Sequence, residues 1–146
     1  MATMSKQQRE QFLAGPHVGV VSVNGADGEP PTSVPTFYAY EPGGLITMFT
    51  GTQRRVPKRI ERIKAAGAIT LVAQREEQPL AYVTVEAELV EIGRPTAEQL
   101  VTIARRYMPE EHATGFAAGE LGDPESTIVL FTFRPTRWFS SDTSTD

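Results

Sequence analysis

The 146-residue chain carries 14 Lys and Arg against 18 Asp and Glu, a formal net charge of −4, with 40% apolar and 22% charged residues and no cysteine. This composition fits one globular domain, rules out disulfides, thiolate metal sites and cysteine nucleophiles, and gives no overall field that attracts nucleic acid. No apolar run approaches the ~20 residues of a membrane helix. The polar start Met1-Ala2-Thr3-Met4-Ser5 lacks the apolar stretch of a secretion signal, so the cytoplasm is the expected compartment.

In chain order, Ser5 and Gln8 have capping-box spacing, which predicts a short helix to about Ala14, stopped by Gly15-Pro16. Residues 18–23 are rich in β-branched side chains and predict a strand that ends in Asn24-Gly25-Ala26-Asp27-Gly28. Residues 33–40 read as its hairpin partner. Glu41-Pro42-Gly43-Gly44 is the next turn and residues 45–50 the next strand, so an antiparallel meander is expected. A helix over residues 57–66, ended by Gly67, precedes a strand at 68–73. Residues 80–92 alternate, with Ala81, Val83, Val85, Ala87 and Leu89 on one face and Tyr82, Thr84, Glu86 and Glu88 on the other. Thr96 and Gln99 open a helix to about Tyr107, a polar glycine-bearing loop covers 109–123, and residues 127–133 make the last strand. The expected fold class is mainly β, a small antiparallel barrel with short helices between its strands. One domain spans 1–146, with residues 1–4 and 140–146 as flexible tails.

The charge is unevenly spread. Arg54, Arg55, Lys58, Arg59, Arg62 and Lys64 face only Glu61 between positions 54 and 64, a local net charge of +5. At 100° per residue, Val56, Ile60 and Ile63 fall within about 60° and form the stripe expected to be buried, with Arg54, Lys58, Arg62, Arg55 and Arg59 on the opposite arc. Pro57 suits a first helical turn, and Thr50-Gly51-Thr52-Gln53 leads into it from a strand. Helix N–H groups, a positive dipole end, two threonine hydroxyls and guanidinium groups together make a phosphate site. A charge run is ordinarily a solvated face, but interspersed acids would then balance it. Nucleic-acid binding would need aromatic platforms or a second basic region, and neither adjoins this segment.

Taken in order, these segments resemble a known family. The run Ser33-Val34-Pro35-Thr36-Phe37-Tyr38-Ala39-Tyr40-Glu41-Pro42-Gly43-Gly44, then Thr50-Gly51 and a basic helix ending Ala65-Ala66-Gly67, then Tyr82-Val83-Thr84-Val85-Glu86-Ala87 and Arg134-Pro135-Thr136-Arg137-Trp138, is similar to the pyridoxamine 5′-phosphate oxidase-like split β-barrel proteins. The resemblance runs from about Arg9 to Trp138. It implies a homodimer with a cofactor groove at each end of the subunit interface, holding FMN or the deazaflavin coenzyme F-420. It also implies ring contacts from Val34, Pro35, Thr36 and Phe37, and phosphate contacts from Thr50, Thr52, Gln53, Arg55 and Lys58. Gln74 and Trp138 are further candidates for contacts across the dimer. Where the family often has serine-arginine-lysine, this chain has Gln53-Arg54-Arg55-Val56-Pro57-Lys58, so Arg54, Arg55 and Lys58 all stand as candidates for the main phosphate contact.

The resulting expectation is an F-420- or FMN-dependent oxidoreductase that transfers hydride to a small organic substrate. Hydride transfer draws its chemistry from the cofactor, so no catalytic side chain is assigned and no metal site is expected. His17 and His112, the two histidines, read as strand-end and loop residues. Arg59, Arg62 and Lys64 extend the positive face beyond the phosphate site, which favours the longer anionic tail of F-420 over FMN. A non-catalytic carrier of the flavin or deazaflavin is the alternative, and a haem-binding relative a weaker one given the shortage of histidine ligands.

Overall fold

The computed structural model describes residues 2–145. Ser5 caps the first helix, α1 (Lys6–Ala14), through the reciprocal hydrogen bonds with Gln8 that the spacing predicts. Strands β1 (Gly19–Val23) and β2 (Thr32–Thr36) form a hairpin, followed by the short β3 (Ala39–Tyr40) and by β4 (Ile46–Thr50). Helix α2 (Arg59–Ala66) ends at Gly67, whose φ of 67° fills the left-handed position after a helix. Then come β5 (Ala68–Arg75), β6 (Ala81–Gly93), the helices α3 (Ala97–Ala104) and α4 (Glu110–Gly122), and β7 (Val129–Asp142). None of the described helices is long and apolar enough to cross a membrane.

The seven strands form one antiparallel sheet in the order β2-β1-β5-β6-β7-β4-β3. Strands β6 and β7 are long enough to serve both halves of it. Register shifts at Glu86/Ala87 and Leu89/Glu91 bend the pair, so one half continues toward β5 and the other toward β4. The architecture is mainly antiparallel β with short helices, consistent with a split barrel. Its core gathers Leu13, Tyr38, Ile46, Met48, Ile63, Leu71, Val85, Phe131 and Phe133, all essentially without solvent contact. Ala81, Val83, Val85 and Ala87 are buried while Tyr82 and Glu88 are exposed, as the alternation of β6 requires.

Several expectations are corrected. Residues 33–40 are not one strand. Tyr38 turns inward, its hydroxyl donating to the Leu13 carbonyl at 2.6 Å and its amide donating to the Tyr107 hydroxyl at 3.2 Å, so the ladder breaks there. The break carries the chain to the far edge of the sheet, where β4 pairs with β3 and β7 rather than with β2, and no simple meander forms. Residues 109–123 are not a loop but mostly helix α4, whose Ala113 and Ala117 are buried. Small residues allow close approach to α3, and that packing outweighs the low helix propensity of Gly115 and Gly119. The last strand runs well past residue 133: residues 140–142 pair with 81–83, and Ala2 bridges Asp142.

Candidate functional site

Strand alternation sets the walls of a groove at the β2–β4 end of the molecule. In β2, Val34 packs toward the core and Pro35 points outward. In β4, Ile46, Met48 and Thr50 face inward, which leaves Phe49 on the other side, its ring 5.3 Å from that of Phe116 on α4. Phe37 is held by a stacked Tyr107 ring at 4.2 Å, and the Tyr107 hydroxyl lies 2.7 Å from the His17 carbonyl. Val18, Pro35, Thr36, Phe37 and Phe49 build one end of a groove of about 300 Å³. The other end is lined by Thr50, Gly51, Thr52, Arg55, Pro57 and Arg59.

The polar end depends on an unusual loop. Gly51, Gln53 and Arg54 have φ of 87°, 58° and 61°, so the chain passes three times through the left-handed region within four residues. The consequence is that the side chains of the adjacent Arg54 and Arg55 have different fates. Arg54 donates to Asp123 from Nε (2.9 Å) and Nη2 (3.2 Å) and pairs with Glu125 at 2.9 Å. That pairing holds the Asp123 carboxyl below the usual carboxylate range. Arg55 lines the groove and has no carboxylate partner among the described residues.

Arg59 opens α2 half-buried and donates to the Thr50 hydroxyl. Burial lowers its pKa from the ordinary arginine value. It too has no carboxylate partner among the described residues, although a desolvated guanidinium is costly unless paired. Of the remaining cations of the segment, Lys58 is exposed without a carboxylate partner among the described residues, and the other two are engaged elsewhere. Arg62 donates to Thr32 and pairs with Glu29, and Lys64 pairs with Glu61 at 3.4 Å. Val56, expected in the buried stripe, is 70% exposed because it precedes the helix; Ile60 and Ile63 are buried as expected.

Of the residues named from the sequence, the structure therefore brings Pro35, Thr36, Phe37, Thr50, Thr52 and Arg55 to one groove. Val34 packs against the core, Lys58 is exposed at the start of α2, and Gln53 is exposed with its amide bonded to Glu120. Gln74 lies in a second concavity with Arg75, Leu80 and Tyr82. Trp138 stands edge-on to Tyr40 at 5.9 Å, with the Arg9 guanidinium 5.1 Å from its ring. Val18, Phe49, Gly51 and Pro57 also line the groove, as does Arg59. Arg59 lies in the basic run, and Gly51 and Pro57 at the strand-to-helix junction, that the sequence already marks; Val18 and Phe49 carry no signal in the sequence. Burial, and more weakly the charges of Arg106 and Arg75, lowers the His17 pKa, so its ring favours the neutral form, stacked on Phe12 at 4.4 Å. His112 is exposed in the first turn of α4.

No protein-family model and no curated protein matches the sequence. Solved structures do match the fold. An F-420 reductase superposes with a TM-score of 0.66 at 21% identity, covering 88% of this chain and 94% of its own. An FAD-binding protein from Mesorhizobium loti gives 0.67 at 19% identity, covering 98% of each chain. A pyridoxamine 5′-phosphate oxidase-like protein from Listeria innocua gives 0.59 at 12% identity, covering 93% of this chain and 98% of its own. At these identities the likeness speaks for the fold, and at that level it supports the resemblance read from the sequence: the chain has the fold shared by the F-420 reductase and the pyridoxamine 5′-phosphate oxidase-like proteins.

Proposed function

We propose that the groove binds a flavin-type cofactor, F-420 or FMN, by its phosphate, and that the protein is an oxidoreductase acting on a small organic substrate. The observation that carries this reading is the half-buried Arg59, beside Arg55 and without a carboxylate, at the polar end of a groove whose other walls are Val18, Pro35, Phe37 and Phe49. An anionic group there supplies the missing counter-charge, and a flat ring finds apolar and aromatic walls. When bound, the cofactor supplies the hydride chemistry. The chain's own residues bind and orient it. Thr50 fixes the Arg59 guanidinium, Thr52 and Arg55 complete the polar end, and Phe37, braced by Tyr107, shapes the ring end.

No Asp, Glu, His, Lys or Tyr lines the groove among the described residues, so no side chain there is assigned to proton transfer. The same feature favours a second reading, a carrier that holds its cofactor without turning it over. Oxidation of reduced cofactor by quinones or similar acceptors separates the two. The reason for preferring F-420 weakens, because Arg62 and Lys64 are ion-paired, and the cations left at the groove suit a single phosphate. Equilibrium dialysis against FMN and F-420 is expected to show micromolar or tighter binding of at least one. Failure of both overturns the proposal.

The resemblance also implied a homodimer, and the sheet offers a face for it. Pro35, Val20, Val72, Thr84 and Phe139 stand directly opposite one another across β2, β1, β5, β6 and β7. Val20 and Phe139 are 38% and 42% exposed, and Pro35 belongs both to this row and to the groove. Covering such a row with a second copy removes apolar area from water and places the partner beside the groove. Light scattering is expected to give twice the chain mass for the native protein and the single mass for Phe139→Asp. A native monomer would sink the dimer.

A further inference from the structure

We infer that the end of α4 and the turn after it, residues 120–127, form a clasp that fixes loop 51–55 in the shape that sends Arg55 into the groove and keeps Arg54 out of it, with Glu120 as the main positioning residue. The inference rests on the reading of the groove as a phosphate site. Left-handed backbone is disfavoured for any residue with a Cβ, and two such residues in succession persist only where the surroundings hold them. The surroundings here are all from one segment. The Gln53 amide donates to Glu120 Oε1 at 3.0 Å, and the Ser126 hydroxyl donates to Glu120 Oε2 at 2.9 Å, so the carboxylate is braced from both sides. Asp123 and Glu125 grip the Arg54 guanidinium, and the Glu125 amide donates to Asp123 Oδ1 at 2.9 Å. The Thr127 hydroxyl lies 2.8 Å from the Gly51 carbonyl and 2.7 Å from that of Arg55.

Loop positions 51, 53, 54 and 55 are therefore each held from the end of α4 or the turn between it and β7, 67 or more positions away along the chain. The arrangement sorts two adjacent arginines. Asp123 and Glu125 neutralise the one pointing away, and the other is left without a counter-charge at the groove. Without Glu120, the loop loses the acceptor for its Gln53 amide and relaxes toward ordinary backbone, and Arg55 no longer arrives preorganised.

The test is a double-mutant cycle between Glu120 and Arg55, read as the dissociation constant of the full chain for whichever of FMN and F-420 the native protein binds more tightly. Glu120→Ala is expected to weaken binding about tenfold, as for loss of one hydrogen bond to a charged group, while Glu120→Gln, whose carbonyl still accepts from Gln53, stays within about threefold of native. Arg55→Ala is expected to cost at most about a third as much in the Glu120→Ala background as in the native one, because an unplaced arginine has less to lose. A merely structural role for Glu120 would leave the two effects additive, and additivity overturns the clasp. Equal affinity of native and Glu120→Ala proteins overturns it as well. Should Glu120→Ala fail to fold by circular dichroism, Ser126→Ala removes the brace on Oε2 and with it a 3.3 Å acceptor of the Ile128 amide; a loss of about threefold with the same coupling to Arg55 supports the clasp, and no loss overturns it. Native protein that binds neither cofactor overturns the phosphate reading and this inference together, an outcome distinct from binding that is indifferent to Glu120.

Discussion

Replacing Arg55 and Arg59 together with alanine is expected to weaken cofactor binding by roughly 30- to 1,000-fold. A hydrogen bond to a charged group contributes about 1.5–3 kcal/mol, and the exposed member of a pair contributes less because water screens it. Arg59 is half-buried and belongs near the upper figure, whereas Arg55 is exposed and belongs below the lower one. Their sum, about 2–4 kcal/mol, converts to that range. Lys58→Ala is the control. It is basic and lies in the same segment but does not line the groove, so it is expected to stay within about threefold of native. Titration of the three proteins, with circular dichroism to confirm folding, checks the point. A double variant that binds like the native chain, or a Lys58→Ala variant that loses more than the pair, would move the phosphate elsewhere.

The second large effect concerns stability. Gly51 stands at φ 87°, and a Cβ built on it would lie 2.5 Å from the Thr127 carbonyl oxygen, a backbone atom that cannot swing aside. Gly51→Ala is therefore expected to cost about 1–2 kcal/mol for the left-handed backbone and a further ~1–3 kcal/mol for forcing the loop away from Thr127. For a domain of this length that lowers the melting temperature by roughly 5–15 °C. Gly67→Ala supplies the comparison. Its φ is also positive, at 67°, but nothing lies within 4 Å of where its Cβ would stand, so only the backbone cost remains. Thermal unfolding of both variants should show the larger loss at Gly51. Equal losses would mean that the contact with Thr127 yields without strain.

These two predictions also mark how far the sequence could be read. The capping boxes at Ser5 and Thr96, the left-handed Gly67 and the alternating faces of β6 depend on residues within a few positions of one another, so local chemistry decides them. The concentration of basic residues between 54 and 64 is equally plain in the sequence, and so is its placement where a strand hands over to a helix.

Which of those cations is available to a ligand is a different matter. Arg54 meets Asp123 across 69 positions, and Arg62 meets Glu29 across 33. No spacing rule couples such residues, because their approach follows from strand order, and the order of the seven strands is itself decided by the break at Tyr38. Helix α4 belongs to the same class. Its glycines argue for a loop, and only packing of Ala113 and Ala117 against neighbouring elements makes a helix the better state. By itself, then, the sequence determined most of the elements, the mainly β class and the segment that carries the charge. Tertiary structure alone decided that Arg55 and Arg59 keep theirs at the groove while Arg54 and Arg62 are paired, since electrostatic pairing acts through space and takes no account of distance along the chain.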